Sequence, residues 1–184
     1  MICIYLNSIM LVLNMIKLSY DVEKYHRDLV DLIKDDDVVI ELGCHVGGAT
    51  SLIASKCNVI AVDNSPEAVE AMGKIDCTFI PGDVRLHEVI AEVFKIAQTC
   101  DVLAIDLGGG YHPDTVFKVF YIWSSTFKPE HTLIRNRGLL EFFNSAKGSD
   151  EEFVSQSGYL ETYHDSGIPP LIKEFDLWTP SLKR

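Results

Sequence analysis

The sequence predicts an α/β protein built on a doubly wound, mostly parallel sheet of about seven strands with a C-terminal antiparallel hairpin. Short β-branched runs alternate with amphipathic helical stretches, and each crossover between parallel strands needs such a helix to return the chain. Most of the runs end in glycine or aspartate, as strand tips beside a crevice do. A length of 184 residues with 47% hydrophobic side chains suits one domain with a proper core.

Taken in order, residues 1–18 read as an N-terminal extension and 19–184 as the domain. The stretch Met1 to Ile16 is apolar but broken by Asn7, Ser8 and Asn14. It lacks a basic front end and a small-residue cleavage site, so neither a signal peptide nor a membrane span is expected. Met15 stands just before an amphipathic stretch and is read as an alternative translation start, which an intact mass would check.

Val22, Tyr25, Leu29, Val30 and Ile33 recur at helical spacing and predict a helix ending at Asp35 to Asp37. Val38, Val39, Ile40 and Leu42 predict the first strand, stopped by Gly43. A second strand runs from Asn58 to Val62, and Ser65 and Pro66 open a helix that ends near Gly73. Thr78 to Pro81 is the third strand. Leu86, Val89, Ile90, Val93 and Ile96 share one face of a helix, and Val102 to Ile105 is the fourth strand before the Gly108 to Gly110 turn. Pro113 and Asp114 start a helix that runs through Trp123, and His131 to Ile134 is the fifth strand. Tyr159 to His164 and Leu171 to Leu177, joined through Gly167, Pro169 and Pro170, are expected to make the hairpin.

Charge and cysteine usage narrow the partners. With 27 acidic against 16 basic residues the net charge is −11, which repels a phosphate backbone and disfavours nucleic acid. The five cysteines are scattered, with no paired or zinc-like spacing, which fits a reducing, cytoplasmic setting and predicts no metal ligands. Cys57, Cys77 and Cys100 are read as core fillers, and Trp123 and Trp178 as core or rim packing.

The unusual residues fall at the predicted strand tips. The first strand ends in Glu41-Leu42-Gly43-Cys44-His45-Val46-Gly47-Gly48, the second in Asp63-Asn64, the third in Gly82-Asp83 and the fourth in Asp106 before three glycines. Glycines after the first strand allow a tight turn, and the following helix offers amide donors to a ligand. Asp63, twenty residues beyond Gly43, is placed to accept from both hydroxyls of a ribose. A dinucleotide fingerprint needs a second glycine where this chain has His45, which counts against a pyrophosphate. Glu41, Asp63, Asp83 and Asp106 are expected to ring the crevice with negative charge, suited to a sulfonium and an ammonium.

These residues resemble the class I, Rossmann-like S-adenosylmethionine-dependent methyltransferases. VVIELGCHVG (Val38 to Gly47) resembles that family's first motif with His45 in place of its middle glycine, and VIAVDNS (Val59 to Ser65) is similar to the ribose-binding second strand. FIPGDV (Phe79 to Val84) resembles the adenine-binding segment, and DVLAIDLG (Asp101 to Gly108) the fourth strand whose acid lies near the methionine end. The resemblance spans roughly Ser19 to Leu177. It implies a cytoplasmic transferase that uses S-adenosyl-L-methionine and releases S-adenosyl-L-homocysteine. It also implies that Gly43 and Gly47 line the methionine moiety, with His45 and Asn64 beside the cofactor and Glu41 acting from behind. Asp63 would hold the ribose, Asp83 and the Val84 backbone the adenine, and Asp106 the ammonium or acceptor.

Asp106 and His112 are the candidate catalytic residues, and Tyr111 stands beside them. Arg135 and Arg137 either clamp an anionic acceptor or pair with carboxylates. The acceptor, a small molecule or a protein, is not identified by the residues, and the oligomeric state stays open, a homodimer included. The alternatives are a non-catalytic cofactor-binding module for sensing or assembly, a metal-assisted O-methyltransferase with Asp106 as ligand and, more remotely, a dinucleotide site.

Overall fold

In the computed structural model, residues 15–147 and 157–160 are described. Six strands form one all-parallel sheet: β1 (Met15–Ser19), β2 (Val38–Leu42), β3 (Asn58–Asp63), β4 (Thr78–Pro81), β5 (Val102–Ile105) and β6 (His131–Arg135), in the spatial order β1-β6-β5-β2-β3-β4. The chain winds outward from β2 to β3 and β4, then crosses back to β5 and β6 on the other side. The order therefore reverses between β2 and β5, which is where an open sheet of this kind opens a crevice.

Helices cover both faces because the central strands are apolar on both. Ile40 and Leu42 of β2, with Ile60, Val62, Leu103 and Ile105, pack under α4 (His87–Ile96) and α5 (Pro113–Phe127), where Val93, Val119, Phe120, Trp123 and Phe127 are buried. Val39, Val59, Ala61, Val102, Ala104 and Leu133 point the other way, beneath α1 (Val22–Leu32), the single turn α2 (Thr50–Ile53) and α3 (Pro66–Met72). Each fully buried Leu, Ile or Val on these layers contributes about 1.5–3 kcal/mol relative to exposure.

Glu41 is the exception on the second face. Its register partners are Ala61 of β3 and Ala104 of β5, two small side chains that leave room for a carboxyl group in a buried layer. Its only side-chain hydrogen bond among the described residues is from the Thr50 hydroxyl, at 2.7 Å.

Several expectations are corrected. The described sheet has six strands, not about seven, and its edge is β1, formed by residues that the sequence places largely in the N-terminal extension. Lys17 and Ser19 of β1 both donate to the buried Asp28 carboxylate of α1, at 2.8 and 3.1 Å, and β1 pairs in parallel with β6. A sixth helix, α6 (Arg137–Ser145), was not expected; the buried Asn136 caps it by accepting from the Leu139 amide at 3.0 Å. The segment after the glycine turn is a series of turns followed by the four residues of α2, too short to aim a helix dipole at a ligand. Of the predicted hairpin only Tyr159 and Leu160 are described, in a bend and a following irregular position; the rest of it, with Trp178, lies outside the described residues, as does Cys3. Cys57 and Cys100 are buried, Cys77 is half-buried, and all are free thiols. Among the described residues no helix is long and apolar enough to cross a membrane.

Candidate functional site

Gly43 fixes the geometry of the crevice. Its φ of +88° is open to glycine, and a Cβ there would lie 2.2 Å from the Asp106 carbonyl oxygen, so the tips of β2 and β5 meet backbone to backbone. The chain then turns through His45, itself at φ 46°, whose amide donates to Asp63 Oδ2 at 2.8 Å. The Ser65 amide donates to Asp63 Oδ1 at 2.7 Å. Asp63 thus ties the β2 and β3 loops together while still facing the open space between them.

That space has two lobes. The first, about 360 Å³, lies over β3, β4 and the start of α5, and is lined by Asp63, Asn64, Asp83, Val84, Arg85, Tyr111, His112, Thr115 and Val116 among others. The second, about 600 Å³, lies over β2, β5 and β6, and is lined by His26, Glu41, Cys44, His45, Asp106 and Arg135 among others. Gly43, Asp63, Asn64, Leu107 and Gly108 line both, and form the waist between them.

The structure brings most of the expected residues together. Glu41, Gly43, His45, Asp63, Asn64, Asp83, Val84, Asp106 and His112 all line one lobe or both. Gly47 does not: a Cβ on it would meet Ile75 and Met72 side-chain atoms at 2.4 and 2.7 Å, so this glycine serves packing of the turn against α3 and the loop beyond. Gly48 lines the second lobe in its place. Asp106 and His112 fall on different lobes, on either side of the Gly108–Gly110 turn.

The four acids expected to ring the crevice all line it, and two of them are paired with arginines. Asp83 is held by Arg85 in a forked pair, with Nε to Oδ1 at 2.9 Å and Nη2 to Oδ2 at 2.6 Å. Burial alone would raise the Asp83 carboxyl, but the Arg85 hydrogen bonds and charge outweigh it and hold it below the usual carboxylate range. Asp106 accepts from Arg135 Nε at 2.7 Å, so that arginine is paired with a carboxylate. For Asp106 burial wins and its carboxyl is raised, against the lowering effect of Arg135 and His26.

Glu41 is 1% exposed, and burial, with smaller repulsion from Asp106 and Asp63 and despite the Thr50 hydrogen bond, lifts its carboxyl to about 7. Near it, the Tyr25 hydroxyl is buried without a hydrogen-bond partner among the described residues, and burial together with Glu41 and Asp106 raises its pKa. Glu41 lines the second lobe with the Thr50 hydroxyl as its hydrogen-bond donor, and Tyr25 lies behind it, outside that lining. Arg137 pairs with no carboxylate among the described residues; its guanidinium lies 5.0 Å from the Tyr20 ring centre and 5.5 Å from that of Tyr111, and donates to the Tyr111 hydroxyl at 3.2 Å. Arg85 and His26 line the lobes as well, without having been expected there. Arg85 had a signal, standing two residues after an acid at a strand tip.

No family model matches the sequence, and no curated protein does. Solved structures match parts of it. An rRNA methylase from Streptococcus thermophilus is 12% identical over 76% of this chain and 92% of its own, with a TM-score of 0.48. The N-methyltransferase NodS from Bradyrhizobium japonicum is 16% identical over 69% of this chain and 76% of its own, with a TM-score of 0.48. A precorrin-8W decarboxylase from Methanobacterium thermoautotrophicum is 19% identical, with a TM-score of 0.45, and the match spans 59% of either chain. At these values the functional reading rests on the geometry of the site itself.

Proposed function

We propose that this chain is an S-adenosyl-L-methionine-dependent methyltransferase that binds its cofactor across the two lobes and delivers the methyl group to a small-molecule or protein acceptor. The observation that carries the reading is the waist: one carboxylate, Asp63, stands between a lobe with the dimensions of a nucleoside pocket and a second lobe lined by the Glu41 carboxyl.

The residues fit the group. Asp63 has lone pairs beyond those used by the His45 and Ser65 amides and would take the ribose hydroxyls; its own loops already hold it in place, so little ordering accompanies binding. Asn64 flanks it, and Asp83 with Val84 would face the adenine. Glu41, which lines the second lobe and accepts from the Thr50 hydroxyl among the described residues, suits an ammonium group. Gly43, His45 and Gly48 would border the amino-acid portion. Bound there, the sulfonium supplies a methyl group that is already activated, so the protein's task is alignment and exclusion of water.

Asp106, committed to Arg135, serves to hold the β5 and β6 tips in register rather than as a free base. His112 is the candidate base for the acceptor: it is exposed, its backbone is left-handed at φ 56°, and it stands where the glycine turn enters α5. The pairing of Asp106 with a guanidinium speaks against the metal-assisted alternative, because a divalent ion would have to displace that cation.

The test is turnover. With S-adenosylmethionine and fractionated cell extract, the protein should form S-adenosylhomocysteine, and an excess of chelator should leave the rate unchanged. Tight cofactor binding with no product above the buffer rate would favour the sensing or assembly alternative, and chelator-dependent turnover would restore the metal-assisted one.

A further inference from the structure

We propose that Arg85 is a positioning residue that sets the base selectivity of the first lobe by fixing Asp83 as an acceptor with a single weakly occupied site. The inference rests on the reading that this lobe takes the adenosine.

A carboxylate offers about four lone-pair sites. Asp83 Oδ1 is filled by the Arg85 backbone amide and by Arg85 Nε, both at 2.9 Å. Oδ2 accepts from Nη2 at 2.6 Å, with Nε a weaker second contact at 3.2 Å. Asp83 is 9% exposed, and Arg85 lines the same lobe beside it. The forked pair is local, spanning two residues, so it is made without help from other elements and also fixes the rotation of the carboxylate.

What remains for a ligand is the Oδ2 site held only by the longer, shared Nε contact at 3.2 Å, and it can only accept. A purine carrying a 6-amino group places an N–H donor there. A 6-oxo purine places a lone pair against a carboxylate that is neither free to rotate nor to take up a proton, and its buried oxygen goes unpaired. Arg85 thus acts through Asp83, by keeping it ionised and oriented.

Calorimetric titration with S-adenosylhomocysteine and with S-inosylhomocysteine, which differ in the 6-substituent and in the proton the oxo form carries on N1, tests this. Wild type should bind the adenosyl compound at least roughly tenfold more tightly. Arg85→Ala should bring the two affinities to within about threefold of one another, and Arg85→Lys, which keeps the charge without the fork, should recover part of the preference. Thermal melting of the free proteins shows that both variants are folded. An Arg85→Ala variant that keeps the wild-type ratio, or a wild type that binds both compounds equally, would overturn the role of Arg85 while leaving the cofactor reading intact. Failure of wild type to bind either compound would instead remove the adenosine reading on which the inference stands.

Discussion

Gly43→Ala is expected to destabilise the protein by about 2–5 kcal/mol and to abolish binding of S-adenosylhomocysteine. Two costs combine. The left-handed backbone at φ +88° strains any residue with a Cβ, and that Cβ would sit 2.2 Å from the Asp106 carbonyl oxygen and 2.9 Å from its carbon. Backbone cannot swing aside as a side chain can, so the β2 and β5 tips must part, and the waist shared by both lobes changes shape. Gly73→Ala is the control: at φ −62° and with 3.8 Å to the nearest atom, it should be neutral or slightly stabilising. Urea unfolding with an unchanged m-value gives the stability difference. A Gly43→Ala protein with wild-type midpoint and affinity would show that the tips are not pressed together as described.

Glu41 makes the second large prediction, a proton linked to ligand binding. Its carboxyl, lifted to about 7, is mostly protonated at pH 6, while an ammonium group in the second lobe favours the ionised form. Affinity for S-adenosylhomocysteine should therefore rise roughly tenfold between pH 6 and pH 8, with a proton released on binding over the lower part of that range. Glu41→Gln should bind weakly and with a flat profile.

The free protein runs in the opposite direction. A folded pKa raised from 4.5 to about 7 makes Glu41's contribution fully present below 4.5 and lost as the pH rises through 7, a swing of about 3 kcal/mol. The buried His131 opposes it. Burial depresses its pKa below 6.5, so the histidine's contribution to stability is lost as the pH falls below 6.5. The difference between wild type and Glu41→Gln isolates the carboxyl from that background, and equal pH profiles for the two proteins would count against a protonated Glu41.

Five of the six described strands were legible in the sequence because each is a short β-branched run that stops at a turn residue, and α5 was legible from Pro113 and its apolar stripe. The sixth strand, β1, was hidden by composition: Met15 to Ser19 follows an apolar stretch with no break between them, and only the contact of Lys17 and Ser19 with Asp28 shows where the sheet begins. The helix α6 has a readable start in Asn136 followed by Leu139, Leu140, Phe142 and Phe143, but with none of its residues buried its apolar spacing carries little of the core signal that marks α5.

At the site, sequence spacing located the acids and not their partners. Asp63, Asp83, Glu41 and Asp106 do converge on one crevice, yet Arg135 comes from a strand 29 residues beyond Asp106, and the Glu41 carboxyl is lifted mainly by its depth. Such compensation depends on tertiary distances, which a linear pattern does not encode. The glycines divide in the same way. Gly43 and Gly47 look alike in the motif, but one faces a carbonyl across the waist and the other a methionine and an isoleucine in the core.

The central claim is that Asp63 stands at the waist of a cleft shaped for an adenosyl amino acid. Titration of S-adenosylhomocysteine into wild type and Asp63→Asn, which keeps one acceptor oxygen for the loops, tests it most directly. One site per chain should appear in wild type, with affinity falling by roughly tenfold to a hundredfold in the variant. Equal affinity in the two proteins, or no binding to wild type at all, would contradict it.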